Sequence, residues 1–389
     1  MLIFSKSSIR LFIEHTAATF IVSFFKIIKL LFKDFELILI RSSRIGHQAL
    51  DLEACLRRPD LYPTIDPQKS IFISDKPANI FLHQLRKRNL KIITNNVIYR
   101  LFFRYQRSNK NSDLVKQLPT HWCVKPPTEI FTNSKTQLNL TSDDNLKGEM
   151  ILKKLGIPND AEIITFSARD SKYLKNEMPG QDWSYHDFRN SNINNYAKAL
   201  DRFVNKKLYA VRVGKTCEPL KHKSPYILDY SDDLRTDLGE IYLIGRSKFF
   251  LGTTSGSNAT ALSLNIPFIQ VNSAPIGSVP FGDLGIFIPK ISKLRSGEVL
   301  SISQVKDKGL LFSGLAADFD KADVELVENS VEDIANAIEE MFEILDHGIK
   351  ETQNQVALRK WLSFKYEKGY KAVISEKFLN SHPSFLDIL

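Results

Sequence analysis

Residues 36–40, Glu-Leu-Ile-Leu-Ile, form a run too short for a helix and apolar on both faces. That is the mark of a strand buried inside a parallel sheet. It passes through Arg41-Ser-Ser-Arg-Ile-Gly-His47 into a helical pattern from Gln48 to Arg57. Strand, glycine-bearing loop and helix open a βαβ unit, so the chain folds as α/β rather than as a bundle or a sandwich.

The order repeats. A strand at Ser70–Ser74, a helix at 78–88 and a strand at 90–93 follow. A polar tract over 107–146, with Pro126-Pro127 in it, breaks the pattern, and a linker is expected near 125–145. A helix from Leu146 to Leu155 then ends at Gly156, with Pro158 beyond. Strands at 162–166, 208–213, 226–230, 248–251 and 267–271 alternate with helices at 193–205, 237–246 and 258–264. The spacing predicts two doubly wound, Rossmann-like domains, at 36–140 and 141–345, with a helical tail at 346–389. Two domains also suit 389 residues, more than one core normally serves.

The net charge of +9 is uneven: residues 1–110 carry 19 Lys and Arg against 8 Asp and Glu. An anionic partner is therefore expected for the first part only. Within 1–35, Lys26, Lys29 and Lys33 share one helical face, and Phe20, Phe24, Ile27, Ile28 and Leu31 share another. The run is too short to span a bilayer and lacks a cleavage site. It reads as a basic amphipathic helix that lies on a membrane or packs on the first domain. Cys55, Cys123 and Cys217 are scattered, without a C-x-x-C pair, which fits a reducing compartment and small buried hydrophobes.

Four strand-end loops carry groups suited to chemistry. Gly252-Thr-Thr-Ser-Gly-Ser-Asn258 offers the hydroxyls of Thr253, Thr254 and Ser255 and, around Gly256 and Asn258, helix-start amides for an anion. The plain alternative is a capped turn. The long loop 167–191 holds Arg169, Asp170, Tyr185, His186, Asp187 and Arg189. Arginines fork onto phosphates and aromatics stack on bases or sugars, against the alternative of a surface loop with incidental ion pairs. Arg212, Gly214 and Lys215, with Asp229 and Arg235, suit a diphosphate pocket. After the first strand come Arg44, Gly46 and His47. Gly46 permits a tight turn, and a helix N-terminus favours a neutral imidazole that acts as a base; a solvated or capping His is the alternative. Arg86-Lys-Arg88 reads as a helix-dipole partner or a basic acceptor rim. The Asp318-Phe-Asp320 triplet sits in an acidic stretch and reads as surface charge rather than as a metal site.

In order, "RIGH", "ARDSKYL", "YHDFRNSNINNY", "VRVGK", "DYSDDLRTD" and "GTTSG" resemble a family of bacterial glycosyltransferases tied to surface-polysaccharide clusters, over roughly residues 36–345. More distantly the chain is similar to the lipopolysaccharide heptosyltransferases of GT-B fold. Ser43–His47 resembles their first loop, with His47 in place of the catalytic Asp, and Thr254-Ser-Gly256 resembles their second. The resemblance implies a GT-B architecture of two domains facing a cleft, with the tail packing back on the N-terminal domain. It implies a nucleotide-sugar donor held by the second domain through Thr253–Asn258, Arg169, Arg212 and Lys215, and a glycan or lipid-linked acceptor on the first. His47 or Asp170 would remove the acceptor proton. Positive side chains and a helix dipole would replace a metal, so no cofactor is expected. The expected place is the cytoplasm, at the inner face of the membrane.

Two further readings stay open: a non-catalytic sugar or nucleotide scaffold, and nucleic-acid binding through Tyr99, Phe102, Phe103 and Tyr105 interleaved with Arg100, Arg104 and Arg107. The absence of any nucleic-acid motif disfavours the second.

Overall fold

The computed structural model describes residues 16, 19, 20, 22–24, 27, 35–110, 112–120, 130–177, 179–231, 233–366 and 370–387. The chain forms two compact units, 1–124 with 136–139, and 125–135 with 140–389. Lys26, Ile28, Lys29, Leu31 and Lys33 of the expected N-terminal helix, Cys123, and Pro126-Pro127 of the expected linker lie outside the described residues.

In the first unit, β1 (Glu36–Ile40) leads to α1 (Ile45–Arg57). Then come β2 (Ser70–Ser74), α2 (Ile80–Lys87), β3 (Lys91–Thr94), α3 (Asn96–Ser108) and β4 (Val115–Gln117). Among the described residues the four strands make one sheet in the order β3-β2-β1-β4, every pairing parallel. The apolar β1 is central, with Leu37, Ile38 and Leu39 buried. The side-chain carboxamides of Asn79 and Asn95 cap α2 and α3 by accepting from first-turn amides, which fixes where each helix starts. One buried ionic group braces the unit. Glu53 on α1 accepts from Arg57 Nε at 2.6 Å, from the Gln137 amide at 2.7 Å, and from Arg86 on α2. Arg86 is thus a buried brace and not part of an acceptor rim.

The second unit opens with α4 (Ser142–Lys154), capped by a reciprocal Thr141–Asp144 box. It continues through β5 (Glu162–Ser167), α5 (Lys172–Glu177), a 3-10 turn (Ser184–Arg189), α6 (Ile193–Leu200), β6 (Leu208–Arg212), β7 (Ile227–Asp229), α7 (Asp237–Gly245), β8 (Phe250–Gly252) and α8 (Gly256–Ser263). β9 (Phe268–Ser273), β10 (Gly285–Pro289), β11 (Ile291–Leu294), α9 (Ile302–Asp307), α10 (Ala316–Lys321), β12 (Val324–Val327), α11 (Val331–His347), α12 (Gln353–Trp361), β13 (Val373–Ile374) and α13 (Glu376–Ser381) complete it. Seven described strands form a parallel sheet, β13-β10-β9-β8-β5-β6-β7, while β11 and β12 make a small antiparallel pair. Counted within the unit, that order is 3-2-1-4-5-6-7 reversed, the doubly wound order. The first unit follows 3-2-1-4 as well. The direction of winding switches between β1 and β4 in one unit, and between β5 and β8 in the other. Ligands in such sheets bind outside the carboxyl ends of the strands at the switch.

The tail clusters with the second unit, where β13 pairs with β10 and Phe378 and Phe385 enter the core. Two expectations are corrected. The stretch 167–191 is not structureless, since α5 and the 3-10 turn occupy much of it. The aromatics of α3 do not form a nucleic-acid platform. Phe102 and Tyr105 are buried against Leu37, Leu39 and Ile73, and Tyr99 and Phe103 pack on the same cluster. Among the described residues no helix is long and apolar enough to cross a membrane.

Candidate functional site

The second unit's switch point gathers most of the expected site residues. β5 lies between β6 and β8, so Arg212, the last residue of β6, and Thr253, just past β8, rise from strands about 10 Å apart. Arg212 is only 1% exposed. Its Nη1 donates to Asp229 Oδ2 at 3.0 Å at the end of β7. Its Nε and Nη2 find no partner among the described residues. The hydroxyls of Thr253, which is fully buried, and Thr254 are unpaired too, as is Asn258 Oδ1, whose amide nitrogen donates to Gln270 at 2.7 Å. Each unpaired buried group costs about 1–3 kcal/mol unless a ligand completes it. Ser255 caps α8, so Gly256, expected before the helix, is its first residue and the amides there face the same strand end.

Glycines let the backbone come close. Gly214 sits at φ 139°, and a Cβ there would meet Cys217 Sγ at 2.7 Å. Burial pushes the Cys217 thiol up to about 11, so it is a packing group rather than a nucleophile. Burial likewise pushes Cys55 up to about 12.

The 169–191 segment is braced over this end. Arg169 Nη1 donates to Asn190 Oδ1 at 2.5 Å, its carbonyl accepts from the Ser191 amide, and Asn190 Nδ2 donates to Asp187 at 2.8 Å. Arg189 lies 5.9 Å from the Phe188 ring. Tyr185, about one-third exposed, packs on His186 with ring centroids 3.9 Å apart. Lys215 pairs with Glu177 at 2.7 Å, part-exposed. The two oxygens of Asp170 accept from the amides of Lys172 at 2.9 Å and Glu218 at 3.0 Å, so it braces the loop. Lys290, just past β10, donates to the Asn190 carbonyl at 2.7 Å, and burial lowers its pKa. It went unnoticed because β10 itself was not read from the sequence. Arg235 pairs with Asp237 and Glu240 through its two terminal nitrogens.

In the first unit His47 is the third residue of α1, and Gly46, expected in a tight turn, lies inside the helix. The Arg44 carbonyl accepts the Gln48 amide, which makes Arg44 the N-cap through its backbone. His47 Nδ1 and Asp51 Oδ2 are 2.9 Å apart. Asp75, at the end of β2, accepts the Ser42 amide at 2.5 Å and the Ser43 amide at 3.0 Å and so sets the loop before the helix. Among the described residues no group of three or more His, Cys, Asp or Glu is placed to hold a metal. Asp318 and Asp320 lie on α10, engaged by Ser313 and Arg295.

No protein-family model matches the chain, and no curated protein does. Among solved structures the chain is similar to a glycosyl transferase family 9 protein from Veillonella parvula DSM 2008, at 11% identity and TM-score 0.46, over 80% of this chain and 97% of that one. It is also similar to E. coli ADP-heptose lipopolysaccharide heptosyltransferase II, at 13% identity and TM-score 0.42, over 80% of this chain and 98% of that one. An E. coli heptosyltransferase with ADP-2-deoxy-2-fluoro heptose matches at 14% identity and TM-score 0.35, over 70% of this chain and 96% of that one.

Proposed function

We propose that the protein is a glycosyltransferase that moves a sugar from a nucleotide-sugar donor to a surface-glycan or lipid-linked acceptor, without a metal ion. One observation carries the reading. Arg212 is wholly buried one strand from the topological switch point with donors unspent, at the same end of the sheet as the unspent hydroxyls of Thr253 and Thr254. A buried guanidinium with one carboxylate partner and spare forked donors suits a second anion, and a diphosphate matches its geometry.

The chemistry follows. As the bond from sugar carbon to phosphate oxygen breaks, its electron pair leaves with the nucleotide diphosphate. Arg212, the threonine hydroxyls and the α8 amides stabilise that charge where water is excluded, so no metal is required. The acceptor oxygen bonds to the sugar carbon and gives its proton to a general base, a role to which the His47 imidazole is suited. Asn258 and the braced Arg169 segment position the donor, and Tyr185 offers a face for a base or sugar.

The acceptor's setting is a membrane surface on the cytoplasmic side. Phe20, Phe24 and Ile27, four and three residues apart, are 79%, 58% and 57% exposed, while Val22 turns into the first unit's core. Exposed aromatics beside the lysines of this stretch suit an anionic interface. The deciding experiment is thermal stabilisation by a panel of nucleotide diphosphates and nucleotide sugars, with EDTA and with Mg²⁺. One nucleotide stabilises the protein in either buffer, and Arg212→Ala loses the effect. A folded protein that none of them stabilises is not a nucleotide-sugar transferase.

A further inference from the structure

We infer that Asp51 is a positioning residue that sets the tautomer and aim of His47. The inference rests on the proposed sugar transfer for its consequence, but not for its geometry. The two residues are four apart on α1, so their side chains share one helical face. His47 Nδ1 and Asp51 Oδ2 stand 2.9 Å apart, with the side chains 13% and 7% exposed. A carboxylate at that distance accepts a proton held on Nδ1. The neutral ring then carries its lone pair on Nε2, the nitrogen that takes a proton from an acceptor hydroxyl. When the ring becomes an imidazolium, the same carboxylate stabilises it without itself being protonated.

The surroundings hold both groups in place. Gln48, next to His47, exchanges two hydrogen bonds with the Asn79 backbone at 2.7 and 2.9 Å, which locks α1 to α2. Among the described residues, the ionisable groups near the pair include Arg41, His83 and Arg86, which line the same small cavity, and Asp75 and Tyr99, the latter bonded to Arg41. Asp75 accepts from the Ser42 and Ser43 amides, while Asp51 faces the imidazole.

Long-range ¹H–¹⁵N correlation on ¹⁵N-histidine-labelled full-length protein reads the tautomer directly. His47 is expected in the Nδ1–H form, and Asp51→Ala is expected to move it toward Nε2–H. A wild-type ring in the Nε2–H form, or a tautomer unchanged in Asp51→Ala, overturns the inference. Asp51→Asn keeps the size of the side chain and guards against loss of fold. In transfer assays Asp51→Ala lowers kcat about 100-fold, with the donor KM and nucleotide stabilisation unchanged. An unchanged kcat also overturns it. If the wild type transfers no sugar at all, the proposed function fails, while the tautomer result still tests the pairing.

Discussion

Arg212 and Asp229 end adjacent parallel strands, and the 3.0 Å bond between Nη1 and Oδ2 holds the guanidinium with its other nitrogens turned from that carboxylate. The pairing therefore aims the arginine as well as neutralising it. Arg212→Lys keeps the charge but loses the fork. Arg212→Ala is expected to lower sugar transfer by about 10²–10³-fold, and Arg212→Lys to give an intermediate loss, in steady-state assays at saturating acceptor.

Glu53 accepts from Arg57, Arg86 and the Gln137 amide with no exposure of its side chain. Its removal strands two buried cations. Glu53→Ala is expected to cost about 3–5 kcal/mol, read as a lowered midpoint in urea unfolding.

At φ 139° Gly214 has a backbone conformation that L side chains rarely adopt, and its missing Cβ makes room for Cys217. Gly214→Ala should destabilise the second unit by about 1–3 kcal/mol and weaken nucleotide stabilisation. Adding Cys217→Ala relieves the overlap but not the backbone strain, so calorimetry of the double variant should show a partial recovery.

Burial raises the pKa of Glu340 above its ordinary 4.5, opposed by its bonds to Ser375 and the Glu376 amide. The folded state then holds the proton more tightly than the unfolded chain. Its contribution to stability is full below the unfolded pKa and is lost as pH rises through the raised folded value. Glu340→Gln should flatten the stability profile across that window, measured by denaturant titration at successive pH values.

Binding to vesicles containing anionic lipid should fall when Phe20, Phe24 and Ile27 are changed together to serine, since each exposed side chain contributes apolar area at the interface. Neutral vesicles should bind both proteins weakly, because the basic segment then has no anionic surface to meet.

The central strands and their loops were legible because burial on both faces leaves an apolar signature: β1, β2 and β5 lie where the pattern places them. Short or edge strands such as β4 and β13 escaped, because three or two residues show no periodicity. Arg212 and Thr253 were visible as strand-end residues. Their unspent donors were not, since satisfaction depends on partners distant in sequence. The bracing role of Asp170 was hidden for the same reason: the Glu218 amide from which it accepts is 48 residues away. Asp51 is the instructive miss. The i,i+4 spacing from His47 was in plain view, but only a helix begun at Ile45 puts both on one face.

The placement of β13 bears on synthesis. The ribosome releases the chain from its N-terminus, and the first unit's described strands have all emerged long before the second sheet can be finished. That sheet gains its last strand only at Val373–Ile374, and Phe378 and Phe385 follow it into the core. Until then the open edge of β10 is a template for unwanted pairing. A premature stop codon just ahead of Val373 would thus spare every residue of the proposed donor pocket and still yield a nascent product that chaperones and proteases intercept.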